Sequence, residues 1–264
     1  MSNVIITMPK VDPYGHCGDT SRELIRLWEK NGLIEIKYTN TPYVWWGEEG
    51  DIVLYDRPTL QWYNPNIKNK GVLWGNTVPD GGQSWIFWGR KPSFIDKIIK
   101  EQGLLSYENR SIESIFLGKV ENNIQLSFRN NSSWNNVIEL FNMPINGNYM
   151  FTQYEYLEKL RDSKYGLCLR GFGPKCNREI ELLSLGTVPI ITKDVDLTYY
   201  EPLIENKHYI RVDEPSELKN KLNSITEEEW AYISKEGHEW YLRNCSTIGS
   251  FKTTSKIINN LKKN

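Results

Sequence analysis

The chain has 264 residues, with 32 Lys and Arg against 33 Asp and Glu and a formal net charge of −1. That balance excludes the broad basic surface of an obligate nucleic-acid or anionic-membrane binder. No apolar run reaches the roughly 18 residues of a membrane span, and residues 1–10 lack the charged start and long apolar core of a signal peptide, so a soluble, cytoplasmic protein is expected.

Cys17, Cys168, Cys176 and Cys245 are scattered without a C-x-x-C pair, a pattern of reduced thiols rather than of a disulfide framework or zinc site. Residues 3–8, NVIITM, form a compact apolar strand, and a polar, glycine-containing loop follows to residue 20. A helix then starts, capped by Asp19 or Thr20 with Glu23 near the capping-box position, and Leu24, Ile25, Leu27 and Trp28 supply its buried stripe. Residues 33–39 read as a second strand and residues 51–55 as a third, ending in Asp56-Arg57-Pro58, while Trp45-Trp46 falls in the loop between them. Strands alternating with a helix predict a parallel sheet, whose ligands bind beyond the carboxyl ends of its strands. The loops carrying His16 and Asp19, Asp56, and Asp80 are therefore the candidates for a catalytic base. Each carboxylate also has a structural role open to it: Asp19 as a cap, Asp56 as a partner of Arg57, Asp80 as a turn residue in Pro-Asp-Gly-Gly.

Residues 71–75 and 85–88 read as further strands. Residues 92–102 read as a helix with Phe94, Ile95, Ile98 and Ile99 inward, closed by Gly103. Seven of the ten tryptophans lie in this first third. Core packing accounts for most of them, but a flat indole with one N–H donor suits a sugar ring, so one or two are expected at an acceptor site.

Residues 104–110 have little hydrophobic order and are the hinge candidate before a second domain. A strand over residues 114–117 runs into Gly118-Lys119, a possible phosphate-facing turn. Residues 121–148 are polar and Asn-rich, with Arg129 on or after a helix, and residues 153–162 form the next helix. The most informative stretch is 163–192. A short strand over residues 165–169 ends at Arg170-Gly171-Phe172-Gly173-Pro174-Lys175, two glycines flanked by cations. From Cys176 a helix carries Arg178 and Glu181 three residues apart on one face. One can reach a diphosphate and the other can accept from a ribose diol, although an intrahelical ion pair uses the same spacing. Gly186 ends that helix, and residues 187–192 return to the sheet. Beyond lie Asp194 and Asp196, an Asp-x-Asp pair with the chemistry of a divalent-metal ligand or of a solvated loop. A strand over 208–212 and helices after Pro215, over 226–243 and over 248–261 complete the chain.

Arg-Gly after a short strand, Arg-x-x-Glu-x-Leu on a helix and Gly-x-x-Pro-Ile on the next strand together resemble the nucleotide-sugar-binding half of exostosin-like glycosyltransferases. The resemblance is strongest over residues 163–192. It implies an α/β, GT-B-like fold of two Rossmann-like domains with mainly parallel sheets facing a central cleft. Here these would be residues 1–108 on the acceptor side and 109–245 on the nucleotide-sugar side, with a terminal helix over 246–264 returning to the first domain.

The implied reaction is inverting transfer from a nucleoside-diphosphate sugar, a UDP-sugar above all, to a hydroxyl of an oligosaccharide or glycan. No cofactor or divalent metal is required for it. Arg170, Gly171, Gly173, Lys175 and Arg178 would hold the diphosphate, Glu181 the ribose, and Lys119 and Arg129 would add donor contacts. The base would come from the first domain, as Asp19, Asp56 or His16. Two other readings stay open: a metal-dependent GT-A-type enzyme using Asp194 and Asp196, and a non-catalytic carbohydrate- or nucleotide-sugar-binding protein.

Overall fold

The computed structural model describes residues 4–10, 19–129, 132–148 and 150–263. His16 and Cys17 lie outside the described residues, as does the side chain of Asp19. The fold is α/β, with two sheets that are mainly parallel.

Strand β1 (Val4–Pro9) pairs in parallel with β2 (Ile34–Thr39) across the crossover helix α1 (Asp19–Lys30). The rest of the first sheet is β3 (Val44–Trp46), β4 (Ile52–Tyr55), β5 (Gly71–Trp74) and the two-residue β6 (Gln83–Ser84), in the order β2-β1-β3-β4-β5-β6. β3 runs antiparallel to both β1 and β4, so the expected loop around Trp45-Trp46 is a strand. Both indoles are buried, on opposite faces of the sheet, and a strand is the backbone form that sends neighbouring side chains to opposite sides.

The expected strand over 85–88 is absent. Those four residues are buried in irregular backbone that divides them between two cores, Trp85, Ile86 and Trp88 under the first sheet and Phe87 under the second. One face of the first sheet is covered by helix; the other carries an aromatic cluster in which Tyr55 and Tyr63 meet Trp74 edge-on at 5.1 and 5.0 Å.

The second sheet is wholly parallel, in the order β11-β10-β9-β7-β8. Its strands are β7 (Ile112–Leu117), β8 (Leu140–Asn142), β9 (Ser163–Cys168), β10 (Val188–Ile191) and β11 (Ile210–Arg211). Helices α3 (Asn123–Arg129), α4 (Gln153–Arg161), α5 (Asn177–Ser184), α6 (Pro215–Asn223) and α7 (Glu227–Asn244) accompany it. Gly166 lets α5 sit close on β9, since a Cβ there would collide with Leu182.

Helix α2 (Pro92–Gln102) starts at a proline and stops at Gly103, φ 64°. Its Ile95 and Ile98 pack into the second core, while Phe94 is 36% exposed instead of inward. The segment read as a hinge is fastened: buried Arg110 donates to the carbonyls of Leu105, Arg161, Ser163 and Leu185, and Tyr107 packs edge-on against Trp230. Helix α8 (Thr247–Leu261) leaves the second sheet and closes the first core. There Trp28 Nε1 donates to Ser250 Oγ and Trp85 Nε1 to Thr254 Oγ1, each at 2.8 Å, with Ile257 and Ile258 packed among the core side chains. Among the described residues no helix is long and apolar enough to cross a membrane.

Candidate functional site

A cleft of about 540 Å³ opens where the carboxyl ends of β4 and β5 face those of β7 and β9. Parallel strands end there in loops, which is where such sheets place ligands. Asp56 reaches it from beyond β4, Asn76 from beyond β5, Lys119 from beyond β7, Arg129 from the end of α3, and Arg178 and Glu181 from α5. The elements therefore bring Asp56, Lys119, Arg129, Gly171, Gly173, Arg178 and Glu181 together around one space.

The middle of the cleft is cationic. The Arg178 guanidinium lies over the Phe116 ring at 4.4 Å and donates to the Leu117 carbonyl at 2.6 Å. Arg129 donates to the carbonyls of Arg170 at 3.0 Å and Lys119 at 2.6 Å, bracing the loops after β9 and β7 against each other. Lys119 pairs with Glu121 at 2.7 Å and keeps partial exposure.

Glu181 marks one end. Its two carboxylate oxygens accept from the backbone N–H of Arg90 and the hydroxyl of Tyr156, each at 2.8 Å. Burial raises its pKa, and the bonds from Tyr156 and Arg90 oppose that rise. Its neighbour Glu179 points into the protein instead. It is fully buried and accepts from the Cys176 N–H at 2.9 Å in a capping box, and burial lifts its pKa to about 7. At the other end, Asp56 stands beside Gly75 and Asn76 and also borders a small hollow formed with Arg22 and Arg57.

The two cations flanking the glycine loop do not both point their charge into the cleft as expected: Lys175 borders it with its ammonium turned inward, and Arg170 lies outside its lining. Lys175 is 2% exposed. Its ammonium donates to the carbonyls of Gly75 at 2.9 Å and Thr198 at 2.5 Å and lies over the Tyr199 ring at 5.0 Å. Burial pulls its pKa down to about 8. Its backbone exchanges two hydrogen bonds of 3.4 Å with the Asn76 side-chain amide, so the residue fastens the loop to the segment after β5. Asn177 adds a 2.8 Å bond to the Trp88 carbonyl. Arg170 turns to the other side, its guanidinium over the Phe128 ring at 4.3 Å and lining a neighbouring groove.

The glycines follow the same logic. A Cβ on Gly171 would come within 2.9 Å of Cys176 Sγ and 3.1 Å of Arg129, and one on Gly173 would collide with Asn76. Their need for glycine comes from protein neighbours pressed against the loop.

Asp80 sits exposed in a turn ahead of Gly81, φ 72°, outside the cleft lining. Asp194 and Asp196 open onto two different depressions, and Asp196 accepts from the backbone N–H and hydroxyl of Thr198. Sequence reasoning missed Asn76, Arg90, Tyr156 and Asn177, and reached Trp88 only as one of the seven indoles of the first third. Tyr156 had a legible signal, as a hydroxyl on the less apolar side of a capped helix; the others lie in irregular backbone or owe their roles to contacts between distant segments. Nine of the ten tryptophans are buried, and Trp62 is the exposed one, at 36%. Its ring lies 6.2 Å from that of Phe172 at 34°.

Comparison with protein-family models finds no match for this chain, and comparison with curated proteins finds none either.

Proposed function

We propose that the protein is an inverting GT-B-type glycosyltransferase that moves a sugar from a nucleoside-diphosphate donor, a UDP-sugar in the first instance, to a carbohydrate hydroxyl. The observation that carries this reading is the convergence of Asp56 from the first domain and Lys119, Arg129 and Arg178 from the second on one cleft. A diphosphate fits the cationic middle, with the ribose toward Glu181 and Tyr156 and the sugar toward Asp56.

In that orientation Asp56 takes the proton of the acceptor hydroxyl as its oxygen attacks the anomeric carbon from the face opposite the diphosphate. The bond to the leaving oxygen breaks with its electron pair, and the developing charge is met by cations held in place by Phe116 and by the β7 and β9 loops. Glu181, already fixed by Arg90 and Tyr156, has lone pairs left for a ribose hydroxyl. Lys175 and Arg170 act here as supports of the loop rather than as diphosphate ligands. The metal-dependent alternative loses support from the separation of Asp194 and Asp196 into two depressions, and transfer that persists in EDTA argues against it directly.

The test is a thermal-shift panel of UDP-, GDP- and CMP-sugars on the intact chain, followed by transfer assays. A true donor at 100 times its Kd adds about 2.7 kcal/mol of stability. Asp56→Asn is expected to keep donor binding and lose about 10²- to 10⁴-fold in transfer, while Lys119→Ala weakens donor binding about 10-fold. If no sugar nucleotide in the panel raises the melting temperature, the proposal is refuted.

A further inference from the structure

A second groove, of about 630 Å³, runs alongside the cleft and is built by both domains. Leu60, Gln61 and Thr77 line it from the first domain, and Ile124, Arg170 and Asp196 from the second. It shares Pro58 and Phe172 with the cleft, so the two spaces adjoin at those residues. Trp62 stands at the junction, bordering the hollow at Asp56 on one side and meeting Phe172 on the other.

Three properties of this groove limit what it can hold. Its rim is apolar and open, with Leu60 37% and Ile124 46% exposed, and the 36% exposed Trp62 stands next to it, against the lining residue Phe172. Its charges are one of each sign, Arg170 and Asp196, which favours a neutral occupant over a polyanion or polycation. Its polar groups offer both donors and acceptors: the Arg170 guanidinium donates, the exposed Gln61 amide does both, and Asp196 accepts. Flat aromatic faces beside mixed donors and acceptors match a chain of sugar rings, each with apolar C–H faces and a belt of hydroxyls that both donate and accept.

We propose that this groove holds the remainder of a neutral oligosaccharide acceptor, the units beyond the one whose hydroxyl reacts at Asp56, with Trp62 as the stacking platform. The choice of ligand rests on the glycosyl-transfer reading above. The protein would then act on the end of a sugar chain and discriminate against free monosaccharides, because only a chain spans both spaces.

The experiment is a ligand-observed NMR titration of the full chain with maltohexaose, cellohexaose, xylohexaose, mannohexaose and chitohexaose, each beside its monosaccharide. At least one hexasaccharide is expected to bind about 10-fold or more tightly than its monosaccharide, Trp62→Ala to weaken it about 5- to 30-fold, and Trp62→Phe to restore most of the loss. Because Trp62 is a surface residue, the variants keep the wild-type melting temperature. Absence of binding by every hexasaccharide overturns the proposal, as does equal binding of chain and monosaccharide or indifference to Trp62→Ala. The same samples are scanned with UDP-, GDP- and CMP-sugars. A donor shift without oligosaccharide binding overturns the groove assignment alone. Trp62-dependent oligosaccharide binding without any donor shift supports the groove and removes the glycosyl-transfer reading.

Discussion

Lys175→Met tests whether this lysine fastens the protein to itself or grips a ligand. Methionine keeps the buried stem and removes an ammonium that bonds the carbonyls of Gly75 and Thr198. In the folded protein that ammonium titrates at about 8, against its ordinary 10.5. The folded pKa is depressed, so the unfolded chain holds the proton more tightly, and wild-type stability rises as pH climbs from about 8 toward 10.5. A shift of that size corresponds to about 3 kcal/mol in full, of which about 2 kcal/mol is realised between pH 7.5 and 10. The methionine variant has no such group. Its stability deficit relative to wild type should therefore widen by about 2 kcal/mol over that interval, while every other titrating group cancels in the difference. Urea denaturation of both proteins at the two pH values measures it, with equal m-values as the control for a shared unfolding transition. A deficit that stays constant, or narrows, refutes the burial of the ammonium that depresses its pKa. So does a loss of sugar-nucleotide affinity much beyond about threefold, which would put the charge back on the donor.

Three further outcomes are expected. Gly173→Ala forces a Cβ into the Asn76 amide and should cost about 1–3 kcal/mol in thermal or urea unfolding, whereas a neutral effect would mean the loop has room to move. Glu179 has its folded pKa raised to about 7 by burial, so its contribution is fully present below the unfolded value of 4.5 and lost as pH rises through 7; Glu179→Gln should gain about 2 kcal/mol on wild type between pH 5 and 8 in paired denaturations, and a flat comparison would count against the buried carboxylate. Tyr156→Phe leaves a Glu181 oxygen without its hydroxyl partner and should cost about 1–2 kcal/mol of stability together with a several-fold loss of donor affinity by calorimetry; an unchanged affinity would remove Glu181 from the ribose end.

Much of the second sheet was legible because its elements carry strong local signals. β9, α5 and β10 follow one another as an apolar run, an amphipathic helix stopped at Gly186 with φ 66°, and a second apolar run. α2 is bracketed by Pro92 and Gly103. The failures share a physical cause. Trp45-Trp46 and residues 85–88 are apolar on consecutive positions, and only the presence of two different cores decides whether such a run becomes a strand or an irregular connection. The same holds within the site. Which way Arg170 and Lys175 point is set by Phe128, Tyr199 and the Gly75 carbonyl, and Gly75 lies 100 residues from Lys175. Glu181 and Arg178 were legible because helical spacing puts them on one face whatever lies opposite.

Helix α8 gives the molecule an unusual order of completion. Trp28 and Trp85 are made well before Ser250 and Thr254, whose hydroxyls receive their indole N–H groups. Until then the first core lacks the wall supplied by Ile257 and Ile258. The first sheet is thus made before the helix that closes its core, and that core stays open on one side while the second sheet is synthesised. A chain broken near residue 246 would therefore lose the wall of the core built around its first strands.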